Sequence, residues 1–422
     1  MTLKLSQLWP TYCSSILFPV TTQFLNKNRF IHSTPLSNDF IEWFRGFTDA
    51  EGCFLLVKTG NTFAFRFLIK LHLDDAPVLD FIQKNLDLGR VTIYESSAIF
   101  SITSQKEIQF IIELFTKYPL NSTKYLNFLD FKKAFELYIN SKVKDPELVL
   151  EIDSIKNNMN SKRTTFEMPK SHQIHITHNW LLGFVEGDGS FYVIKADNIL
   201  QFSITQKGNL ALMETIKNFF IDLAKFKNLN ITQGFVYITN VNIIKPEASN
   251  YVLSIKNNDF IEQILIPFFD SMVWHSKKEL DYLDWKTIFK IKELGLHYTI
   301  DGKDLIDFIL SKMNNNRLST NEPLKINRTF TPSEIEAILN GPSNYEKLED
   351  GRILIKSSNK YNFSRKNIKV ELIDPQGLVF KTFNSITSCA EFLEVSSHTV
   401  TKRIKTNKSV SFNNKEYYIK IL

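Results

Sequence analysis

The sequence predicts an α+β protein built as two pseudo-symmetric halves, each running helix, two strands, helix, two strands, helix, and followed by a small basic module. Three observations predict it. A ten-residue run occurs twice, as Trp-Phe-Arg-Gly-Phe-Thr-Asp-Ala-Glu-Gly at 43–52 and Trp-Leu-Leu-Gly-Phe-Val-Glu-Gly-Asp-Gly at 180–189. The same order of hydrophobic patterns follows each copy. The charge balance then changes near the C-terminus: residues 351–422 carry 13 Lys and Arg against 5 Asp and Glu, in a chain whose total is only +6. At 422 residues the chain exceeds what one core serves, and its 43% hydrophobic and 23% charged content is ordinary for a globular protein.

Residues 1–37 contain Lys4, Lys27 and Arg29 but no acid before Asp39. This composition fits a mitochondrial presequence, or a leader left from a fused upstream reading frame. The first half is expected over 38–140. Asp39 with Glu42 three residues on predicts a capping box. Phe44, Phe47, Thr48 and Glu51 then share one helix face. Gly46 and Ala50 form a small-residue face, as do Gly183 and Gly187 in the second copy. Without Cβ bulk, two such helices can pack backbone to backbone, at an interface centred on Gly46 and Gly183.

Each helix leads into a strand (52–58 and 189–195), a second strand (65–73 and 200–206) and a helix (76–86 and 210–220). Later, Lys-Tyr-Leu-Asn-Phe-Leu-Asp-Phe-Lys at 124–132 matches Lys-Glu-Leu-Asp-Tyr-Leu-Asp-Trp-Lys at 278–286. The motifs are offset by 137 residues and these later segments by 154, which places an insertion of about 17 residues near 228–246. A linker is expected at 141–174 and the second half at 175–320, with a helix continuing to about Met313 and a loop at 314–321. A further linker, with one helix at 333–339, covers 321–366.

Cys13, Cys53 and Cys389 are scattered, which excludes a disulfide framework or zinc module and makes a reducing compartment the default. No apolar run is long enough to cross a bilayer, so no membrane partner is expected. The repeat puts two carboxylates, Glu51 and Asp188, at equivalent helix ends. A matched pair of acids suits metal-assisted phosphodiester chemistry, because hard divalent cations prefer carboxylate and water oxygens.

These residues resemble the LAGLIDADG homing endonucleases in their single-chain, two-motif form. Residues 44–52 and 181–189 align with the nine-residue signature, and the resemblance extends over roughly 38–320. It implies a monomer with internal pseudo-twofold symmetry and two saddle-shaped antiparallel sheets on double-stranded DNA. It implies Mg²⁺, with Mn²⁺ able to substitute, held by Glu51 and Asp188 with the carbonyls of Ala50 and Gly187. Lys124 and Lys278 resemble the family's active-site lysines, and Gln206 its water-ordering polar residue, whose first-half counterpart is Leu71. Glu51 departs from the usual Asp of the first motif. Outward strand residues Arg66, Lys70, Tyr192, Lys195, Gln201, Ser203 and Thr205 become candidate base readers.

In the C-terminal module, 367–422, strands at 368–373 and 378–383 flank the turn at 374–377, and helices follow at 385–393 and 397–405. This ββαα pattern resembles the helix-turn-helix modules appended to homing nucleases. It would offer Thr399, Thr401, Lys402, Arg403 and Lys405 to DNA. The implied activity is site-specific cleavage promoting mobility of a mitochondrial intron. The same fold also serves as a group I intron RNA maturase, alone or bifunctionally, and a DNA-binding relic that no longer cuts is a third reading. Intact acids in both motifs favour the nuclease, because RNA folding does not need them.

Overall fold

A computed structural model describes residues 35–141, 145–195, 198–227, 234–241, 250–348, 352–362, 368–413 and 415–422. The first half runs α1 (Asn38–Glu51), β1 (Gly52–Thr59), β2 (Thr62–His72), α2 (Ala76–Leu86), β3 (Arg90–Ile93), β4 (Ser97–Ile102), α3 (Gln105–Lys117), α4 (Lys124–Asn140) and α5 (Pro146–Asn157). The second runs α6 (His178–Asp188), β5 (Gly189–Ile194), β6 (Ile199–Lys207), α7 (Leu210–Phe226), β7 (Val236–Asn240) and β8 (Asn250–Ile255). It continues through α8 (Asn258–Phe260), a π-turn (Ile261–Leu265), α9 (Ile266–Asp270), α10 (Lys278–Glu293) and α11 (Ile300–Leu310). The two sheets are antiparallel and equivalent, ordered β1-β2-β4-β3 and β5-β6-β8-β7. Most of the expected leader, residues 1–34, lies outside the described residues.

The paired helices α1 and α6 join the halves. A Cβ on Gly46 would stand 2.0 Å from the carbonyl oxygen of Trp180, and one on Gly183 would stand 2.1 Å from that of Trp43. Each glycine thus receives the other helix's backbone, as the small-residue spacing predicts. Trp43 stacks on Phe47 and Trp180 on Phe184 in the same way, with centroids 5.0 and 4.8 Å apart. The N-cap of α1 is Ser37, whose hydroxyl accepts from Phe40 N–H, and not the expected Asp39. Glu42 is drawn away from a capping role because it pairs with Arg45 and accepts from Thr177.

Behind each sheet the core is aromatic. Phe44, Phe54, Phe67, Phe115, Phe128 and Phe131 are fully buried in the first half, and Phe191, Phe202, Phe269 and Trp285 in the second. Each such side chain contributes about 2–3 kcal/mol by burial, so these clusters fix the strands' inward faces.

Several expected boundaries change. The stretch at 141–174 is not simply a linker. Helix α5 packs on α4, and the segment after it is a second repeat at the 154-residue offset: Met159-Asn-Ser-Lys-Arg163 matches Met313-Asn-Asn-Asn-Arg317. Asn160 and Asn314 both adopt positive φ, and both donate from their side-chain amides to a strand carbonyl, that of Phe54 or Phe191. Arg163 then pairs with Asp130, and Arg317 with Asp284 and Asp281. Each half therefore ends in a strap that ties its first strand to its lysine-bearing helix.

The expected continuous helix to Met313 is broken after Glu293, where Gly295 has φ +70° and a short 3₁₀ turn precedes α11. The expected loop at 314–321 begins with another 3₁₀ turn, Asn314–Arg317. The 321–366 linker holds α12 (Pro332–Leu339), as expected, and also a three-stranded antiparallel sheet of β9 (Tyr345–Lys347), β10 (Ile353–Ile355) and β11 (Lys360–Asn362). Asn344 anchors that sheet by bonding Leu294 O, Gly295 O and Ser357. Of the expected 17-residue insertion, 228–233 and 242–249 lie outside the described residues, and α7 supplies part by being longer than α2.

The C-terminal module forms the expected hairpin, β12 (Val370–Ile373) and β13 (Val379–Phe383), then α13 (Ile386–Phe392) and α14 (Ser397–Thr406). It also contains β14 (Val410–Phe412) and β15 (Lys415–Ile421), giving a four-stranded sheet ordered β13-β12-β15-β14. The module is therefore ββααββ and not ββαα. Its last strand completes the core, with Tyr417 and Ile419 packed with Val370, Leu372, Ile386 and Val400.

Candidate active site

Glu51 and Asp188 are the last residues of α1 and α6, side by side at one end of the helix pair. A second pair of acids, which sequence reasoning missed, holds the frame around them. Asp49 accepts from Trp180 Nε1 (2.9 Å) and from the N–H groups of Asn121 and Ser122 (2.9 and 2.8 Å). Glu186 accepts from Trp43 Nε1 (2.7 Å) and from the N–H groups of His275 and Ser276 (2.6 and 3.2 Å). Each acid thus clamps the opposite helix's tryptophan and the segment that opens its own half's lysine helix. The signal was in the repeat: both copies place Trp and acid six residues apart, Trp43 with Asp49 and Trp180 with Glu186.

Those clamped segments deliver Lys124 and Lys278 at the first residues of α4 and α10. Lys124 Nζ donates to Ala50 O at 2.7 Å. Burial lowers its pKa, against the raising influence of Asp188, Asp49 and Glu51. Lys278 lines a cavity of about 640 Å³ together with Glu51, Gly187, Asp75 and Lys277. Its charge acts on both carboxylates.

The two acids are held against electrostatic cost. Burial raises Glu51, and the charges of Lys124 and Lys278 oppose it. Asp188 is pushed up to about 7, first by burial and then by Glu51, while Lys124, Lys278 and the hydrogen bond from Gln206 pull it down. Gln206 Nε2 donates to Asp188 Oδ2 at 2.5 Å. Strand register fixes the first-half equivalent: Gly52 pairs with Ile69 and Gly189 with Ile204, so Leu71 occupies the place of Gln206.

A divalent cation fits this donor set. Two mutually repelling carboxylates, desolvated and flanked by main-chain oxygens, offer hard ligands only. A Cβ on Gly187 would lie 3.4 Å from Glu51 Oε1, so the Gly187 main chain runs against that carboxylate. The Ala50 carbonyl already accepts from Lys124 but keeps a second lone pair. Among the described residues no three His, Cys, Asp or Glu side chains gather, so water and phosphate would have to complete the coordination of Mg²⁺-like ions.

The expected base readers divide. Arg66, Lys70, Lys195 and Thr205 are exposed, and Tyr192 is half-buried. Gln201 and Ser203 are only 4% and 6% exposed, against expectation. They lie on the outward face by alternation, but neighbouring strands engage both: Gln201 donates to Ser254 Oγ at 2.9 Å, and Ser203 hydrogen-bonds Tyr192. In the module, Lys402 and Lys405 are exposed and Arg403 and Thr399 half-buried. Thr399 shares a hydrogen bond with Ser396, whereas Thr401 is buried and turns its hydroxyl to Ser397 O.

Two repeated αββαββα units joined through glycine-packed helices that end in two carboxylates define a single-chain protein of LAGLIDADG architecture. The family model described as LAGLIDADG endonuclease matches residues 44–135 and 181–289, and the chain belongs to that family, whose nucleases depend on divalent metal. It is 26% identical over 401 residues to the uncharacterized mitochondrial protein RF1 of Saccharomyces cerevisiae, covering 92% of this chain and 83% of that one. It is 29% identical over 208 residues to a probable intron-encoded endonuclease of Schizosaccharomyces pombe, covering 46% of this chain and 53% of that protein. Among solved structures it resembles the LAGLIDADG homing endonuclease I-GzeII in complex with its DNA target, at 26% identity and TM-score 0.55, over 65% of this chain and 99% of that one.

Proposed function

We propose that this protein is a site-specific, divalent-metal-dependent DNA endonuclease of mitochondria that cuts both strands of a duplex target and so promotes the mobility of an intron. One observation carries the reading: two carboxylates at paired helix ends, each backed by a lysine at the start of an equivalent helix. The names of the relatives, intron-encoded endonucleases and a mitochondrial protein, support it, and they favour it over the maturase alternative.

Glu51 and Asp188 would hold the cations, Mg²⁺ with Mn²⁺ as substitute, together with the carbonyls of Ala50 and Gly187. A cation bound there supplies Lewis-acid stabilisation of phosphoryl oxygens and promotes ionisation of water. The chain's own residues do the rest. Lys124 and Lys278 bring positive charge to an oxyanion developing on phosphorus or on the leaving oxygen. Lys124 enters that role already partly desolvated and fixed by Ala50 O. Gln206 keeps its amide oxygen available to orient water while its amide nitrogen holds Asp188. Arg66, Lys70, Lys195, Tyr192 and Thr205 contact DNA from the sheets, and Gln201 and Ser203 act from beneath as supports for Tyr192 and its neighbours. Helix α14 adds Lys402, Arg403, Lys405 and Thr399 to a flanking stretch of the duplex.

Purified protein and a duplex spanning an uninterrupted intron insertion site test this. Cutting should require Mg²⁺ or Mn²⁺ and disappear in Glu51→Gln plus Asp188→Asn, while binding persists. Undiminished cutting by that double variant would overturn the role of the acids. Removing the module should weaken binding and lower its salt dependence, since phosphate contacts release counterions. An unchanged salt slope would remove the module from the interface.

A further inference from the structure

The two carboxylate centres differ in their surroundings, and the difference extends beyond Leu71. Strand register matches Leu71 to Gln206, and the helices that follow begin at Ala76 and Leu210, so that Asp75 matches Asn209, the two N-cap positions of α2 and α7. Asp75 lines the cavity that also contains Glu51, Leu71, Lys277 and Lys278, and its charge acts on Glu51. Its counterpart Asn209 is uncharged, 4% exposed and occupied in capping α7, where its side-chain oxygen accepts from Leu212 N–H.

Asp75 is held in place from the other half of the molecule. Lys277 Nζ lies 3.3 Å from Asp75 Oδ2 and 3.4 Å from Asp74 Oδ2. Asp74 accepts from Ser319 N (2.8 Å) and Oγ (2.5 Å), and His72 Nε2 meets Thr320 Oγ1 at 3.0 Å. Two separate segments of the second half thus clasp the turn that follows β2. At the 154-residue offset the mirror positions are Thr123, Thr165 and Phe166, and with Gly208 and Asn209 opposite they supply no ionic pair. The clasp is one-sided, and it stands beside the centre that lacks a glutamine.

A lone carboxylate facing a phosphate site would repel it, but Lys277 balances this one. One oxygen is taken by Lys277, and the other remains a hydrogen-bond acceptor directed by a fixed turn. We propose that Asp75, fixed by the Lys277–Asp74–Ser319 clasp, is the water-orienting residue of the Glu51 centre and does there what Gln206 does at the Asp188 centre. The proposal rests on the endonuclease reading. Asp75 needs no contact with the cation; it accepts a hydrogen bond from water and so restricts its direction of approach to phosphorus.

The test uses the full-length protein and a supercoiled plasmid with one target, resolving the products of each strand. Asp75→Ala should slow cutting of the strand served by Glu51 by about 10- to 100-fold and leave the other within about twofold, so that nicked circles accumulate. Adding Leu71→Gln should restore much of the lost rate, because it returns a polar group to the position Gln206 occupies opposite. Ser319→Ala, which loosens the clasp but leaves the Lys277–Asp75 pair in place, should lower the unfolding temperature and bias the strands in the same direction as Asp75→Ala, by less. Independently of cleavage, Asp75→Ala and Lys277→Ala should be coupled in a thermal-stability cycle. Equal slowing of both strands by Asp75→Ala, no rescue by Leu71→Gln, a Ser319→Ala strand bias as large as that of Asp75→Ala, or additive stability effects would each overturn the proposal. A wild-type protein that cuts neither strand would overturn the endonuclease reading itself.

Discussion

At the Asp188 end of the helix pair, the carboxylate accepts a hydrogen bond from Gln206; at the Glu51 end, the equivalent position is Leu71 and the carboxylate is one methylene longer. The scaffolding around the two ends is nevertheless alike. Trp43 reaches Glu186 as Trp180 reaches Asp49, Gly46 receives Trp180 as Gly183 receives Trp43, and Asn160 binds Phe54 as Asn314 binds Phe191. What is shared sets the placement of backbone and helix ends, where both halves must satisfy one interface. What differs lies among the side chains around the two carboxylates, which the proposed endonuclease reading assigns to separate strands and which can drift separately.

Breaking one centre at a time gives the largest expected effect. Asp188→Asn and Glu51→Gln, made singly, should each cost about 10³-fold or more on one strand and far less on the other, yielding two nickases of opposite strand preference in a strand-resolved assay. Equal loss on both strands would show that the centres are not separable. The shared interface comes next. Gly46→Ala and Gly183→Ala should each destabilise the protein by about 3 kcal/mol or more, and by similar amounts in denaturant unfolding, because either methyl meets a main-chain carbonyl that cannot move alone. Unequal effects would mean that the two helices do not share the interface evenly.

The straps should behave as a matched pair of smaller size. Asn160→Ala and Asn314→Ala each lose a bond to a strand carbonyl and put alanine, which tolerates positive φ less well than asparagine, in the left-handed region, for about 1–3 kcal/mol apiece. A strand-specific loss of cutting from Asn314→Ala would extend its strap into the cavity it borders. The smallest effect distinguishes the junctions after the lysine helices. His297 lies in the second junction, where the sequence of the first has Val143. Burial, with help from Lys292 and Lys303, lowers His297 to about 4 from an ordinary 6.5. The unfolded chain therefore binds the extra proton between those values, and stability should be complete above about pH 6.5 and decline as pH falls toward 4. His297→Phe, placed beside Tyr298 and Tyr345, should flatten that acid limb in thermal melts across pH.

Much of this was legible because it is written in spacing. The glycines four apart from Ala50 and Gly187, the alternating strands, and the two lysine helices all follow from local periodicity, and the duplication let each half check the other. The straps were equally legible, since Met-Asn and Arg recur at 159–163 and 313–317, but short polar turns carry no hydrophobic period and read as linker. The strand at 415–421 alternates clearly yet was hidden by the helix pair preceding it. The burial of Gln201 and Ser203 was not legible, because alternation assigns a face but does not say which side chains of the adjacent strands will bond across it. Nor was the Asp75 clasp, whose partners Lys277 and Ser319 are about two hundred or more positions away in the chain and meet it only once both halves are folded together.

The reciprocal seating of Gly46 and Gly183 also dictates an order of events during synthesis. The face of α1 that holds Trp43 and Phe47 finds its partner only after residue 188 has been made, so the first half must wait with an apolar, self-complementary helix face uncovered. Two nascent first halves could satisfy each other through that same face, by a twofold contact of the kind the finished chain makes internally. Covalent linkage wins this competition through local concentration, which makes the length and compactness of the 141–177 connection a determinant of yield as well as of shape.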